Sequence, residues 1–202
     1  KQKTAYEISL GLVGSEMCIR DRSIVASIMA LGGRAIGISG ADGGMLQARM
    51  AKSDLGLVGE ISKVDIKPLK AVIAAGAMPV IAPIAAHYCD GQATEPLLLN
   101  VNADTAAGAI ARSIKSRRLM LLTDIDGVLD DKDRLIPEIN TMEAKELINK
   151  ETIHGGMIPK IQTCINAINN GVRAVVILDG RKPHSILFEL FSDRGAGTLI
   201  RK

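Results

Sequence analysis

Four short, nearly continuous apolar runs punctuate the chain: RAIGIS at 34–39, MPVIAPIA at 78–85, RLMLLT at 118–123 and RAVVIL at 173–178. Runs of this length without polar alternation predict strands covered on both faces. Apolar residues at helical spacing predict helices over about 23–31, 65–76, 103–116, 142–150, 157–170 and 183–191. The alternation predicts an α/β fold with a mostly parallel central sheet and helices on both sides. The stretch 47–62, QARMAKSDLGLVGEIS, fits either an irregular piece or a hairpin. Internal repeats, a Pro/Ser-rich linker and an obvious domain break are all absent from the sequence.

One helix raises a chemical question. In HGGMIPKIQTCINAINNG, residues 154–171, Met157, Ile161, Ile165 and Ile168 share a helical face, Pro159 suits the first helical position and Gly171 ends the run. Lys160 then lies in the first turn, beside the positive end of the helix dipole, where a cation is mildly unfavourable without an anionic partner.

In parallel α/β sheets ligands bind beyond the carboxyl ends of the strands. The segments that follow the four runs are GADGG, a loop ending in LLLNVNADTAAG, DIDGVLDD and DGRKPH. Turn formation explains many of these Asp and Gly residues. NVNAD, however, sets Asn100, Asn102 and Asp104 ahead of the small-residue helix TAAGAIA, where Asn102 or Asp104 can cap the helix but all three cannot. Together with Lys160, this arrangement suits an anionic ligand held between helix N-termini. GxxxxGK[ST], GxGxxG and the HRD and DFG pair of protein kinases are absent.

Composition narrows the classes further. The 202 residues are 47% hydrophobic and 2% aromatic without Trp, and the net charge is +3 with Lys and Arg scattered among acids. Nucleic-acid or membrane binding therefore has no support in composition. Cys18, Cys89 and Cys164 form no CxxC pair, which points to a reducing cytoplasm. Glu7 and Glu16 interrupt any signal-peptide pattern. His87, His154 and His184 lack metal-site spacing, so solvated or packing roles are expected and no resident metal is assigned.

NVNADTAAGAIA, LLTDIDGVLDD, GGMIPK and VVILDGRKPHSILFELFSDRGAGTLI resemble the amino acid kinase family, and within it the members that phosphorylate N-acetylglutamate. GRAIGISGADGG and DLGLVGEISKVD share that likeness, which runs from about residue 24 to the C-terminus. The resemblance implies a three-layer αβα sandwich. It also implies ATP with Mg²⁺ as phosphoryl donor, and the side-chain carboxylate of N-acetyl-L-glutamate as acceptor, in arginine biosynthesis. By the same resemblance Asn100 binds acetylglutamate, Asp104 orients the active-site lysines, and Lys160 meets the transferred phosphoryl group and the leaving oxygens. Asp124, Ile125, Asp126, Gly127, Val128 and Leu129 match the nucleotide loop, and Thr152, Ile153 and His154 a second nucleotide-contacting segment. An ionised carboxylate acceptor needs no general base, so charge neutralisation carries the chemistry.

Residues 1–22, KQKTAYEISLGLVGSEMCIRDR, do not match the family and read as a non-native leader, with 23–202 a partial kinase domain that lacks a glycine-rich turn and a second lysine. Little or no kinase activity is expected of the chain alone. The tail around His184 resembles the arginine-inhibitor site of some members, and full-length members are dimers or hexamers. Another phosphotransferase of the family, such as a glutamate or carbamate kinase, and a noncatalytic arginine-binding or assembly module are the alternative readings.

Overall fold

Pro83 divides the predicted 78–85 strand between two sheets. In the computed structural model, which describes residues 19–51, 56–89, 92–193 and 195–202, Met78–Ala82 pairs with Ala35–Ser39 while Ile84–Cys89 pairs elsewhere. Proline lacks the N–H a ladder requires, so the chain changes sheet there. Its carbonyl accepts from Val101 N at 3.0 Å.

The chain divides into two units, 1–102 and 103–202. In the first, residues 19–30 form α1, followed by β1 (Ala35–Ser39), a 3₁₀ turn (Asp42–Gly44), β2 (Leu46–Met50), β3 (Gly59–Val64), α2 (Lys67–Ala74), β4 (Met78–Ala82), β5 (Ile84–Cys89) and β6 (Gln92–Asn100). β1 and β4 are parallel, and the second sheet has the order β3-β2-β5-β6. The hairpin alternative for 47–62 is the one realised, since β2 and β3 are antiparallel with a bulge between Gln47 and Ala48. β6 corrects the expected loop before NVNAD. β6 is an edge strand, where its Pro96 is tolerated.

The second unit runs α3 (Ala103–Ser113), β7 (Arg118–Thr123), β8 (Glu138–Asn140), α4 (Thr141–Asn149), α5 (Met157–Asn169), β9 (Ala174–Asp179), α6 (Ser185–Phe191) and β10 (Gly197–Arg201). Its sheet has the order β7-β9-β10-β8, with β9 parallel to β7 and antiparallel to β10. Val175 and Ile177 of β9 join Ile161, Cys164, Ile165 and Ile168 of α5 in one core cluster. Val176 and Leu178, on the opposite face of β9, are also fully buried, as expected for a strand covered on both sides. β8 and β10 were not predicted; the first is three residues long, and the second follows a Gly-rich turn with only Leu199 and Ile200 as large apolar residues.

α4 opens with a reciprocal capping box. The Asn140 side chain accepts from Met142 N and Glu143 N at 2.8 and 2.9 Å, and Glu143 Oε2 accepts from Asn140 N at 2.7 Å. Four of the seven strand pairings are parallel, so the predicted α/β class with parallel-rich sheets holds among the described residues. Residues 1–18 lie outside those described, and with them most of the segment read as a leader. Among the described residues no helix is long and apolar enough to cross a membrane.

Candidate active site

The short connections 114–117 and 170–173 join the C-termini of α3 and α5 to the starts of β7 and β9. Both helix N-termini therefore return to the carboxyl ends of these adjacent parallel strands, where ligands are expected. Three contacts rise together along the two helices. Lys160 Nζ donates to Asp104 Oδ2 at 2.6 Å, a Cβ on Gly108 would lie 3.0 Å from Thr163 Cγ2, and Arg112 donates to Asn166 Oδ1 at 3.1 Å. The helices thus run side by side in the same direction, and buried Ala106, Gly108, Ala109 and Ala111 of the small-residue helix allow the close approach.

α5 begins at Met157, so Pro159 is its third residue rather than its first and Lys160 closes the first turn. Proline is harmless there because the first N–H groups of a helix have no intrahelical partner. Met157 N and Ile158 N bond back to His154 O and Gly155 O at 3.3 and 3.2 Å, and Pro159 has no N–H. The positive character of this helix start is therefore delivered chiefly by its dipole and by Lys160. Asp104, in the first turn of α3, sits where a carboxylate is favoured, and its pairing with Lys160 is three-quarters buried, with side chains 23% and 26% exposed.

Beyond β7 the chain forms a narrow antiparallel ribbon. Ile136 N donates to Val128 O at 2.9 Å, Leu129 bridges Leu135, and Asp130 N donates to Arg134 O at 2.9 Å. At the tip, Asp130 accepts from the backbone of Arg134 and Lys132 and from the Arg134 guanidinium. Those donors, the Arg134 backbone first, hold its carboxyl below the usual range. Thr152 Oγ1 donates to Asp131 Oδ1 at 2.7 Å, tying the ribbon to the segment before α5.

A cleft of about 520 Å³ opens between these pieces. Asp124, Ile125, Gly127, Val128 and Leu129 form one wall, and residues 152–157 with Lys160 the other. Thus both segments expected to contact a nucleotide meet the expected lysine in one place. Val128 and Ile153 are 1% and 3% exposed, so they offer backbone rather than side chain. Asp126 lies outside the wall and pairs with Lys182 at 2.7 Å. Asn100 belongs to the first unit, at the end of β6, where its N–H donates to Leu57 O at 2.8 Å.

Asp130 and Asp133 also line the cleft, and Asp131 braces it; the sequence reading passed over all three, although the carboxylate repetition in DIDGVLDDKD was a visible signal. Among the described residues no group of three or more His, Cys, Asp or Glu could hold a metal ion. Mg²⁺ held mainly by phosphates needs only one or two carboxylates, and the acidic lining of the cleft offers them. One turn after Lys160, Cys164 is fully buried, and burial first, then the charge of Asp104, pushes its thiol up to about 12. Asp179, at the end of β9, is held down to about 2 by the forked Arg181 guanidinium and its backbone N–H.

The second unit thus gathers a lysine, an acidic ribbon and a helix start at its strand ends, an arrangement suited to an anionic ligand. Residues 3–179 match the amino acid kinase family, and the chain is a member of it. It is 52% identical to the acetylglutamate kinase of Methylobacterium nodulans, over all of this chain and 67% of that protein. Against the acetylglutamate kinase of Afipia carboxidovorans it is 48% identical over 90% of this chain and 64% of the relative. The chain thus spans about two thirds of the length of these curated relatives. Among solved structures, N-acetylglutamate synthase from Neisseria gonorrhoeae, complexed with coenzyme A and N-acetyl-glutamate, superposes with a TM-score of 0.80 at 26% identity, over 97% of this chain and 44% of the other.

Proposed function

We propose that the protein transfers the γ-phosphoryl group of ATP to the side-chain carboxylate of N-acetyl-L-glutamate, a step of arginine biosynthesis, and that the cleft of the second unit is its nucleotide site. The observation that carries this reading is the position of Lys160, paired with Asp104 at 2.6 Å and facing a cleft lined by residues 124, 125, 127–129 and 152–154. The relatives named acetylglutamate kinase, at about half identity, supply the acceptor.

The chemistry is electrostatic. The acceptor carboxylate is ionised at neutral pH, so no side chain has to remove a proton. Lys160 meets the negative charge spreading over the transferred group, and Asp104 holds the ammonium in place while no phosphate is near. Mg²⁺, carried on the nucleotide phosphates, supplies further charge neutralisation. Asn100 is assigned to the acceptor, and the backbone of residues 127–129 and 152–154 to the nucleotide. The same reading takes in arginine as feedback inhibitor, a homo-oligomer at full length and a cytoplasmic setting.

Isothermal titration of the chain with AMP-PNP and Mg²⁺ tests the site. Saturable binding that weakens in Lys160→Ala and Gly127→Val supports it, and no binding by the wild type sinks it. Hydroxylamine trapping of acyl phosphate, in a version extended to the relatives' length, tests the acceptor. Product with N-acetyl-L-glutamate but not with glutamate or carbamate is expected.

A further inference from the structure

The ribbon that forms one wall of the cleft has an irregular base, and the irregularity has one cause. In an antiparallel pair of this kind two residues exchange both N–H to O=C bonds. Val128 and Ile136 make only one directly, Ile136 N to Val128 O at 2.9 Å. The other is interrupted by a hydroxyl: Val128 N donates to Thr198 Oγ1 at 2.8 Å, and Thr198 Oγ1 donates to Ile136 O at 2.7 Å. Thr198 is fully buried on β10 and lies 70 positions from Val128 in sequence. Beside it Gly127 has φ +147°, and a Cβ there would lie 2.6 Å from the same hydroxyl. Leu199 N donates to Pro137 O at 2.8 Å, so the strand that carries the hydroxyl is itself fastened to the chain leaving the ribbon.

We propose that Thr198 is a positioning residue for the nucleotide site: its hydroxyl, spliced into the base of the 128–136 ribbon, sets the spacing of that base and so the placement of the Gly127–Leu129 backbone against the phosphates. This rests on the functional reading above. Only a side chain that donates and accepts at one atom can complete the splice, which a hydroxyl does and a methyl cannot. Without it the ribbon either closes onto a direct Val128 to Ile136 bond or leaves a buried N–H and C=O unpaired, and both move or loosen the wall. The residue touches no ligand in this scheme and acts through the backbone of Gly127 and Val128.

The test compares Thr198→Val, which keeps the shape and removes the hydroxyl, with Thr198→Ser, which keeps the hydroxyl. Ile200→Val, in the same strand and buried in the core cluster, is the control for lost stability. AMP-PNP with Mg²⁺ should bind Thr198→Val about tenfold or more weakly, and should bind Thr198→Ser and Ile200→Val close to wild type. Amide exchange at Val128 should accelerate in Thr198→Val alone. Should that variant fail to fold, Thr198→Cys, a weak donor and acceptor, takes its place with the same expectation.

Equal nucleotide affinity in wild type and Thr198→Val would overturn the proposal, as would a loss in Ile200→Val matching that in Thr198→Val. A wild type that does not bind overturns the functional reading and the nucleotide role with it. The ribbon splice then stands or falls on the Val128 amide, and unchanged exchange there in Thr198→Val refutes it.

Discussion

Lys160 and Asp104 join the first turns of two parallel helices through a 2.6 Å hydrogen-bonded ion pair, 56 positions apart in sequence. The carboxylate sits where its helix dipole favours it, and it offsets the charge that the dipole of α5 disfavours. Removing either partner leaves the other charge partly buried without compensation. Lys160→Ala, in a version extended to the relatives' length and active, is expected to lower kcat by about a hundredfold or more with a smaller change in KM. Asp104→Ala should cost about 1–3 kcal/mol of stability in urea unfolding. A kcat unchanged in Lys160→Ala would remove the lysine from the chemistry.

The same pair depends on how closely the helices approach. A Cβ on Gly108 would stand 3.0 Å from Thr163 Cγ2, so a branched side chain must push α3 and α5 apart. Gly108→Val is expected to destabilise the fold by about 1–3 kcal/mol from overpacking. It should also weaken nucleotide binding through the displaced lysine. Thermal melting and AMP-PNP titration measure the two effects, and Gly108→Val with Thr163→Ser should recover part of both.

The strands β7 and β9 were legible because they lack polar alternation, although of the two only β9 is covered on both faces and the edge strand β7 leaves Leu122 exposed; the helix α5 was legible because Ile161, Ile165 and Ile168 keep its period. Local pattern failed where a neighbour decides the outcome. Pro83 reads as one interruption in an apolar run, yet the half before it joins the distant β1 and the half after it joins the distant β2 as well as the next strand β6, which the run itself does not show. β6 holds a proline that only an edge position tolerates, and the edge is not visible locally. β8 and β10 are short and draw their order from each other and from β9. Lys160 was marked by its place at a helix start and, with residues 124–129 and 152–154, by family resemblance; that Lys160 lines one cleft with those segments, Asp126 excepted, required the fold. Thr198 carried no signal, since a threonine between Gly197 and Leu199 looks like any strand residue until its hydroxyl is seen inside another segment's ladder.

Asp179 links the strand end beside the cleft to acid stability. Arg181 holds its carboxyl down to about 2, against about 3.9 in an unfolded chain. A depressed carboxyl contributes stability above the unfolded value and loses it as pH falls through the folded one. Its contribution should therefore be complete above about pH 4 and disappear towards pH 2. Asp179→Asn is expected to flatten the melting-temperature profile over that interval, and a parallel profile in wild type and variant would contradict the assignment.

Cys164 acts at the opposite end of the pH scale. Its thiol is fully buried, and burial with the nearby Asp104 charge pushes it to about 12 from an ordinary 9.0. Between those values the unfolded chain has released a proton that the folded chain keeps, so stability should fall as pH rises from about 9 towards 12. Below that window the thiol contributes no pH dependence. Cys164→Ala should remove this component of the alkaline slope, at a cost of about 1 kcal/mol for the smaller side chain. A buried neutral thiol is also a poor nucleophile. Iodoacetamide at pH 8, read by peptide mapping, should label Cys164 in denatured protein and leave it unlabelled in the folded chain. Rapid labelling of the folded chain would show that the α5 face beneath Lys160 opens to solvent, contrary to the packing described.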